Sequence, residues 1–136
     1  MPAERGRPLT IVALALVLLA LSDFLKPLRL EGADTGLVVL GLRRSGTVNA
    51  VGGVVLGLVL LTYAAGVWGM RRWVVPLAWA YAAYVTVNVA LFPFRTPLPA
   101  DAGVGYWTFG VVYTIVAIAA SSGIARALSR RRADLR

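Results

Sequence analysis

The sequence predicts an all-α fold: an integral membrane four-helix bundle, up-down-up-down, with a short interfacial segment between helices 1 and 2. Three observations predict it. The 136 residues are 59% hydrophobic and 15% charged, with a mean hydropathy of +0.76, whereas soluble domains are about half apolar and a quarter charged. The apolar residues gather into four runs, each near the ~20 residues that a spanning helix needs. Lysine, arginine and proline cluster at the ends of those runs. Four spans with their connections take up the length, so residues 1–136 are expected to form one transmembrane domain.

Helix 1 is expected over residues 9–25. The run follows a tail with Arg5 and Arg7, as a secretory signal would, and Ala20-Leu21-Ser22 offers a weak cleavage site. The run is longer than the ~7–15-residue apolar core of a signal, so it reads as a retained helix. Lys26-Pro27 is expected to end it, because proline cannot continue a helix and restricts the residue before it. Residues 28–44 form the longest connection. Leu28, Leu30 and the run Leu37–Leu42 make it more apolar than an ordinary loop. Asp34 is placed to cap a short helix from Thr35. The segment is expected to lie in the membrane interface, with a re-entrant turn as the alternative.

Helix 2 is expected over 46–70, rich in glycine and closed by Arg71-Arg72. Helix 3 is expected over 73–92. Pro76 falls in its first turn, where a missing N–H costs little, and Pro93 stands at its end. Helix 4 is expected over 104–127, followed by a basic cytoplasmic tail, 128–136. Trp68, Trp73, Trp79 and Trp107 lie near span ends, as amphipathic rings do at membrane interfaces.

The net charge is +8. The basic residues flank apolar runs, which argues for topology and lipid contact rather than nucleic acid. Placing both termini in the cytoplasm puts Arg5, Arg7, Arg71, Arg72, Arg126, Arg130, Arg131, Arg132 and Arg136 on that side, nine residues. The other side receives five: Lys26, Arg29, Arg43, Arg44 and Arg95. The excess favours both ends inside. The tail is expected to attract anionic lipid head groups. The Ala, Val, Leu and Arg bias fits a bacterial inner membrane.

There is no cysteine and no histidine. This excludes disulfides, thiol chemistry, imidazole-ligated haem and the usual zinc sites, and it removes the commonest general base. Glu4, Asp23, Glu31, Asp34, Asp101 and Asp134 fall mostly in loops or tails. No metal, cofactor or catalytic residue is expected, and the chain reads as a non-enzyme.

Lipid gives no hydrophobic drive to bring helices together, so small residues that let backbones approach set the packing. Gly53 and Gly57 on helix 2, Ala78 and Ala82 on helix 3, and Ala119 and Gly123 on helix 4 match that pattern. Packing within the bundle is expected. A homodimer seam through Gly53 and Gly57, or a larger membrane complex, is the alternative.

Polar residues inside a membrane are costly and often functional. Here they gather toward one end: Asp23 and Lys26 on helix 1, Asn49 on helix 2, Tyr84, Asn88 and Arg95 on helix 3, Tyr106 and Tyr113 on helix 4. Helical spacing places Tyr81, Tyr84 and Asn88 on one face. Asn49, Gly53, Leu56, Leu60 and Tyr63 form a second stripe, and Tyr106, Gly110, Tyr113 and Ala117 a third. If the stripes converge, they line an outward-facing ligand pocket. Interhelical hydrogen bonding explains the same residues as structure. Asp23 is expected to pair with Lys26, three residues on, or with Arg95.

Asn49, Gly52 and Gly57 spell N-x-x-G-x-x-x-x-G. This resembles the second-helix motif of the small fluoride channels, which are four-helix proteins of this size. The likeness covers that helix only. The family's glycine- and arginine-bearing first helix has no counterpart here, nor has its Thr- and Phe-rich break in the third. The functional expectation is therefore an accessory subunit or a module that binds a small molecule or lipid. A dimeric ion channel or transporter using the polar cluster is the alternative, and a lipid-modifying enzyme relying on Asp23 ranks third.

Overall fold

The computed structural model describes residues 5–28 and 37–136. It is an all-α four-helix bundle whose successive helices run antiparallel. The helices are α1 (Gly6–Leu25), α2 (Gly46–Trp68), α3 (Val74–Arg95) and α4 (Val104–Arg130). At 1.5 Å rise per residue, 20 to 27 residues give rods of about 30–40 Å, enough to cross ~30 Å of hydrocarbon. All four are long and apolar enough to span. The chain is a small multi-pass membrane protein.

Three helices, α2, α3 and α4, end at residues other than those expected. The end of α1 is where Lys26-Pro27 is expected to set it: the α-helix stops at Leu25, and a 3-10 turn follows over Lys26–Leu28. Pro93 lies inside α3, which continues to Arg95. It removes the donor to the Val89 carbonyl, and the ladder then resumes with Thr96 N–H donating to the Phe92 carbonyl at 2.9 Å. A proline this close to the C-terminus removes one bond of the last turn rather than breaking the rod. α4 runs three residues beyond 127, to Arg130.

α2 stops at Trp68, two residues before the expected Met70. The Met70 N–H bonds the Val67 carbonyl at 3.2 Å, and the Arg71 N–H bonds the Gly66 carbonyl at 2.9 Å. That pair of bonds is a Schellman stop, with Met70 at φ 51° in the left-handed position that glycine usually fills. Met70 is buried there, so its packing offsets the backbone cost.

The tail is not free. Leu135 is 2% exposed, within a core of Leu9, Met70, Val74, Ala125 and Leu128. Arg136 N–H donates to the Met70 carbonyl and Arg72 N–H donates to the Arg136 carbonyl, both at 2.7 Å. Arg5 closes this end, with its guanidinium 3.7 Å from the Trp68 ring centroid and a 2.8 Å bond to the Trp68 carbonyl.

The two helical hairpins, α1/α2 and α3/α4, meet through α2 and α3. Tyr63 and Tyr81 cross edge to face at 5.8 Å, and Val67, Val74 and Ala78 are fully buried beside them. α1, α2 and α3 carry buried residues along their length, whereas those of α4 are confined to the end that carries the tail. From Val104 to Ala120 no α4 residue is buried; its buried residues are Ser121, Ala125 and Leu128.

Part of the expected interfacial segment is a β-hairpin rather than a helix. Val38–Val39 (β1) pairs antiparallel with Leu42–Arg43 (β2). The two turn residues, Leu40 and Gly41, have φ of 52° and 75°, the left-handed pair of the tightest hairpin turns. β-branched Val38 and Val39 favour strand over helix. The expected helix start at Asp34–Thr35 lies outside the described residues.

Candidate functional site

The polar residues singled out at this end hold the hairpin. Asn49 sits in the first turn of α2, where its Oδ1 accepts the Leu37 N–H at 2.7 Å. Leu37 is buried and lies against the bare face of Gly52. From α3, Asn88 Oδ1 accepts the Gly41 N–H at 3.2 Å, and its Nδ2 donates to the Tyr84 carbonyl at 2.8 Å. Tyr84 Oη donates to the Val38 carbonyl at 2.9 Å. Arg95 Nη1 donates to the Leu40 carbonyl at 2.9 Å. Thr96 Oγ1, not anticipated from sequence, donates to the Gly41 carbonyl at 2.7 Å.

Five side chains from α2 and α3 and the residue after it therefore serve backbone groups of one tight turn. A hairpin of two short strands is marginal alone, and its unpaired backbone groups need partners where they are buried. Gly41 is essential to the fit. A Cβ there would stand 2.5 Å from the Leu91 backbone.

Asp23 is 6% exposed and pairs with Lys26, the nearer of its two anticipated partners. Arg95 faces the hairpin instead. The Asp23–Lys26 turn packs on Gly53, where an added Cβ would lie 2.8 Å from the Asp23 carbonyl and 3.2 Å from Lys26 Cβ. A Cβ added at Gly57 would lie 3.0 Å from the Phe24 ring. Ala78 and Ala82 are buried at 0% and 3% exposure. These four small residues form close contacts within the chain. Ala119 is exposed and Gly123 has open space beyond it, so the α4 pair does not pack here. α4 packs mainly on α3, and its buried residues lie in its last turns.

Tyr106 and Tyr113 stand apart from the latch. They line an apolar cavity of about 280 Å³ between the end of α3 and the splayed start of α4, with Phe92, Pro93, Trp107 and Gly110. Thus the α2 and α3 stripes meet at Tyr63 and Tyr81, while Tyr106, Gly110 and Tyr113 of the α4 stripe line this cavity. A second, more polar groove of about 470 Å³ lies at the tail end, lined by Arg5, Trp68, Asp134 and Arg136 among others. Asp23 lines neither. Among the described residues no group of three metal-ligating side chains is present.

Comparison with protein-family models, with curated proteins and with solved structures found no match.

Proposed function

We propose that this chain is a non-catalytic module of a bacterial inner membrane, with both ends in the cytoplasm, that binds a lipid or other apolar molecule between α3 and α4. The observation that carries the reading is the α3/α4 cavity. It is walled by aromatic rings, opens where α4 leaves the bundle, and abuts a hairpin fixed by five side chains. Ligand sites are typically concave and mostly apolar with a few polar groups, and Thr96, Thr114 and the two tyrosines supply those here. The polar cluster that would line a transport path is engaged with the hairpin, which favours binding over conduction. Asp23 is engaged with Lys26, which favours binding over catalysis. The basic residues at the tail end are expected to meet anionic head groups.

Native mass spectrometry of detergent-purified protein tests this. The wild type should keep one lipid or apolar adduct. Gly110→Phe should lose it, since Gly110 lines the cavity and a Cβ added there meets no atom within 4 Å. Gly123→Phe, equally open but outside the cavity, should retain it. Equal retention in both variants would refute the reading.

The long unburied stretch of α4 also supports a second role, as an accessory subunit whose partner helix covers that face. A heteromeric complex that survives purification and is lost on Ile115→Trp, with lipid retention unchanged, would favour it.

A further inference from the structure

We infer that the α3/α4 cavity, on the binding role proposed above, is the acyl-chain slot of a site for one anionic phospholipid, with Arg43 and Arg95 receiving the phosphate. Size is the first argument. Whole small-molecule ligands occupy about 300–1,000 Å³. A cavity of about 280 Å³ accepts a length of chain and leaves the rest of a lipid outside. Thermodynamics is the second. An acyl chain that moves from bilayer to an apolar slot gains no hydrophobic energy, because lipid tails are as apolar as leucine. Filling the slot adds contacts for any chain. Selectivity must come from the head group at the mouth.

Two arginines stand next to residues that line the cavity, and the fold places them there. Arg95 is the last residue of α3 and adjoins Thr96, which lines the cavity. One of its five N–H donors holds the Leu40 carbonyl, which anchors the side chain while the planar fork stays exposed. Arg43 arrives from the hairpin's second strand, and its guanidinium carbon lies 5.7 Å from the centroid of Phe92, another cavity residue. Arg95 thus adjoins the cavity residue Thr96 in sequence, and Arg43 lies over the ring of the cavity residue Phe92. Among the described residues the single ion pair is Asp23–Lys26, so neither arginine is neutralised there. Guanidinium forks match phosphate oxygens in charge and geometry. The hairpin latch thus has a use beyond shielding its own backbone: it carries Arg43 to the cavity.

The test is a titration of the purified full chain, followed by native mass spectrometry, with phosphatidylglycerol and phosphatidylcholine of identical chains. The wild type should bind one phosphatidylglycerol about 5- to 25-fold more tightly, the attraction of one to two arginines for an anionic head group. Arg43→Gln should weaken phosphatidylglycerol about five-fold and leave phosphatidylcholine unchanged. Arg44→Gln, one residue on, should change neither. Gly110→Phe should abolish stoichiometric binding of both. Equal affinity for the two lipids overturns the head-group inference while the cavity still binds. An equal loss in Arg43→Gln and Arg44→Gln overturns it too, as general surface charge. Failure of both lipids to bind one-to-one overturns this inference and the binding role together.

Discussion

Replacing Asn88 by alanine tests whether the hairpin is held as described. The substitution removes the acceptor of the Gly41 N–H, which lies at 3.2 Å in a buried site. A buried donor left without a partner costs about 1–3 kcal/mol. Interhelical hydrogen bonds in membrane proteins average only ~0.6 kcal/mol, with a maximum near 1.7. The hairpin stands at the end of the bundle, where the opened state meets water and head groups, so the upper part of the membrane range applies. Destabilisation by about 1–2 kcal/mol raises the open population roughly 5- to 30-fold. The other bond of Asn88, to the Tyr84 carbonyl, lies within its own helix and contributes little to the latch. Hydrogen exchange followed by mass spectrometry on the peptide covering residues 37–44 reads the opening directly. The Arg44 N–H, bonded to the Leu37 carbonyl at 2.7 Å, closes the hairpin and should exchange faster by the same factor. Thr86→Val is the control, because Thr86 Oγ1 bonds the Ala82 carbonyl in α3 and no hairpin group. Unchanged exchange in Asn88→Ala, or an equal rise in Thr86→Val, would refute the latch.

Three further outcomes are expected. Gly53→Ala places a methyl 2.8 Å from the Asp23 carbonyl, an overpacking cost of about 1–3 kcal/mol, whereas Gly110→Ala meets nothing and gains up to ~1 kcal/mol of helix propensity. Unfolding midpoints in mixed micelles should separate the two, and identical midpoints would contradict the close α1–α2 approach. Leu40→Asn should slow exchange of residues 37–44 several-fold, because asparagine tolerates the left-handed conformation that costs leucine about 1–2 kcal/mol; faster exchange would exclude the assigned turn. Asp23→Asn strands Lys26, and breaking one side of a buried pair costs about 3–5 kcal/mol. Asp23→Asn with Lys26→Met should recover most of that loss, and equal stability of the single and double variants would place the pair in wet head groups instead.

The four rods were legible because the bilayer demands long apolar runs, and Leu9–Leu25 or Val104–Ala127 can satisfy their backbones in no other simple way. Their ends were less legible. Pro93 reads as a stop, but a proline near the last carbonyls breaks one bond and not the rod. Gly69-Met70 reads as continuing helix, since the usual glycine of a Schellman stop is displaced by one residue and Met70 takes the left-handed position. The hairpin was hidden for a related reason. Asn-Gly or Asp-Gly announces such a turn; Val38-Val39-Leu40-Gly41-Leu42 announces only an apolar stretch.

The clustering of Asn49, Tyr84, Asn88 and Arg95 was legible from helical spacing, but its occupant was not. Those side chains serve main-chain N–H and C=O groups, which every residue owns and no sequence pattern marks. α4 shows the complementary gap. Its stripe of Tyr106, Gly110 and Tyr113 has helical period, and Ala119 and Gly123 match a packing motif. Yet a face against lipid and a face against another helix are equally apolar, so composition does not tell which one α4 presents.

The distribution of packing gives this difference a physical meaning. Leu9, Met70, Val74, Ala125, Leu128 and Leu135 fix all four helices at one end, and the Leu135–Arg136 backbone clasps the α2–α3 turn. The first part of α4 carries no buried residue and has α3 as its main neighbour. Local stability is lowest where buried contacts are fewest, and that is where the aromatic cavity lies. Leu135→Ala at the tail end should therefore lower the stability of the whole bundle, whereas Gly110→Ala in the unburied stretch of α4 should not.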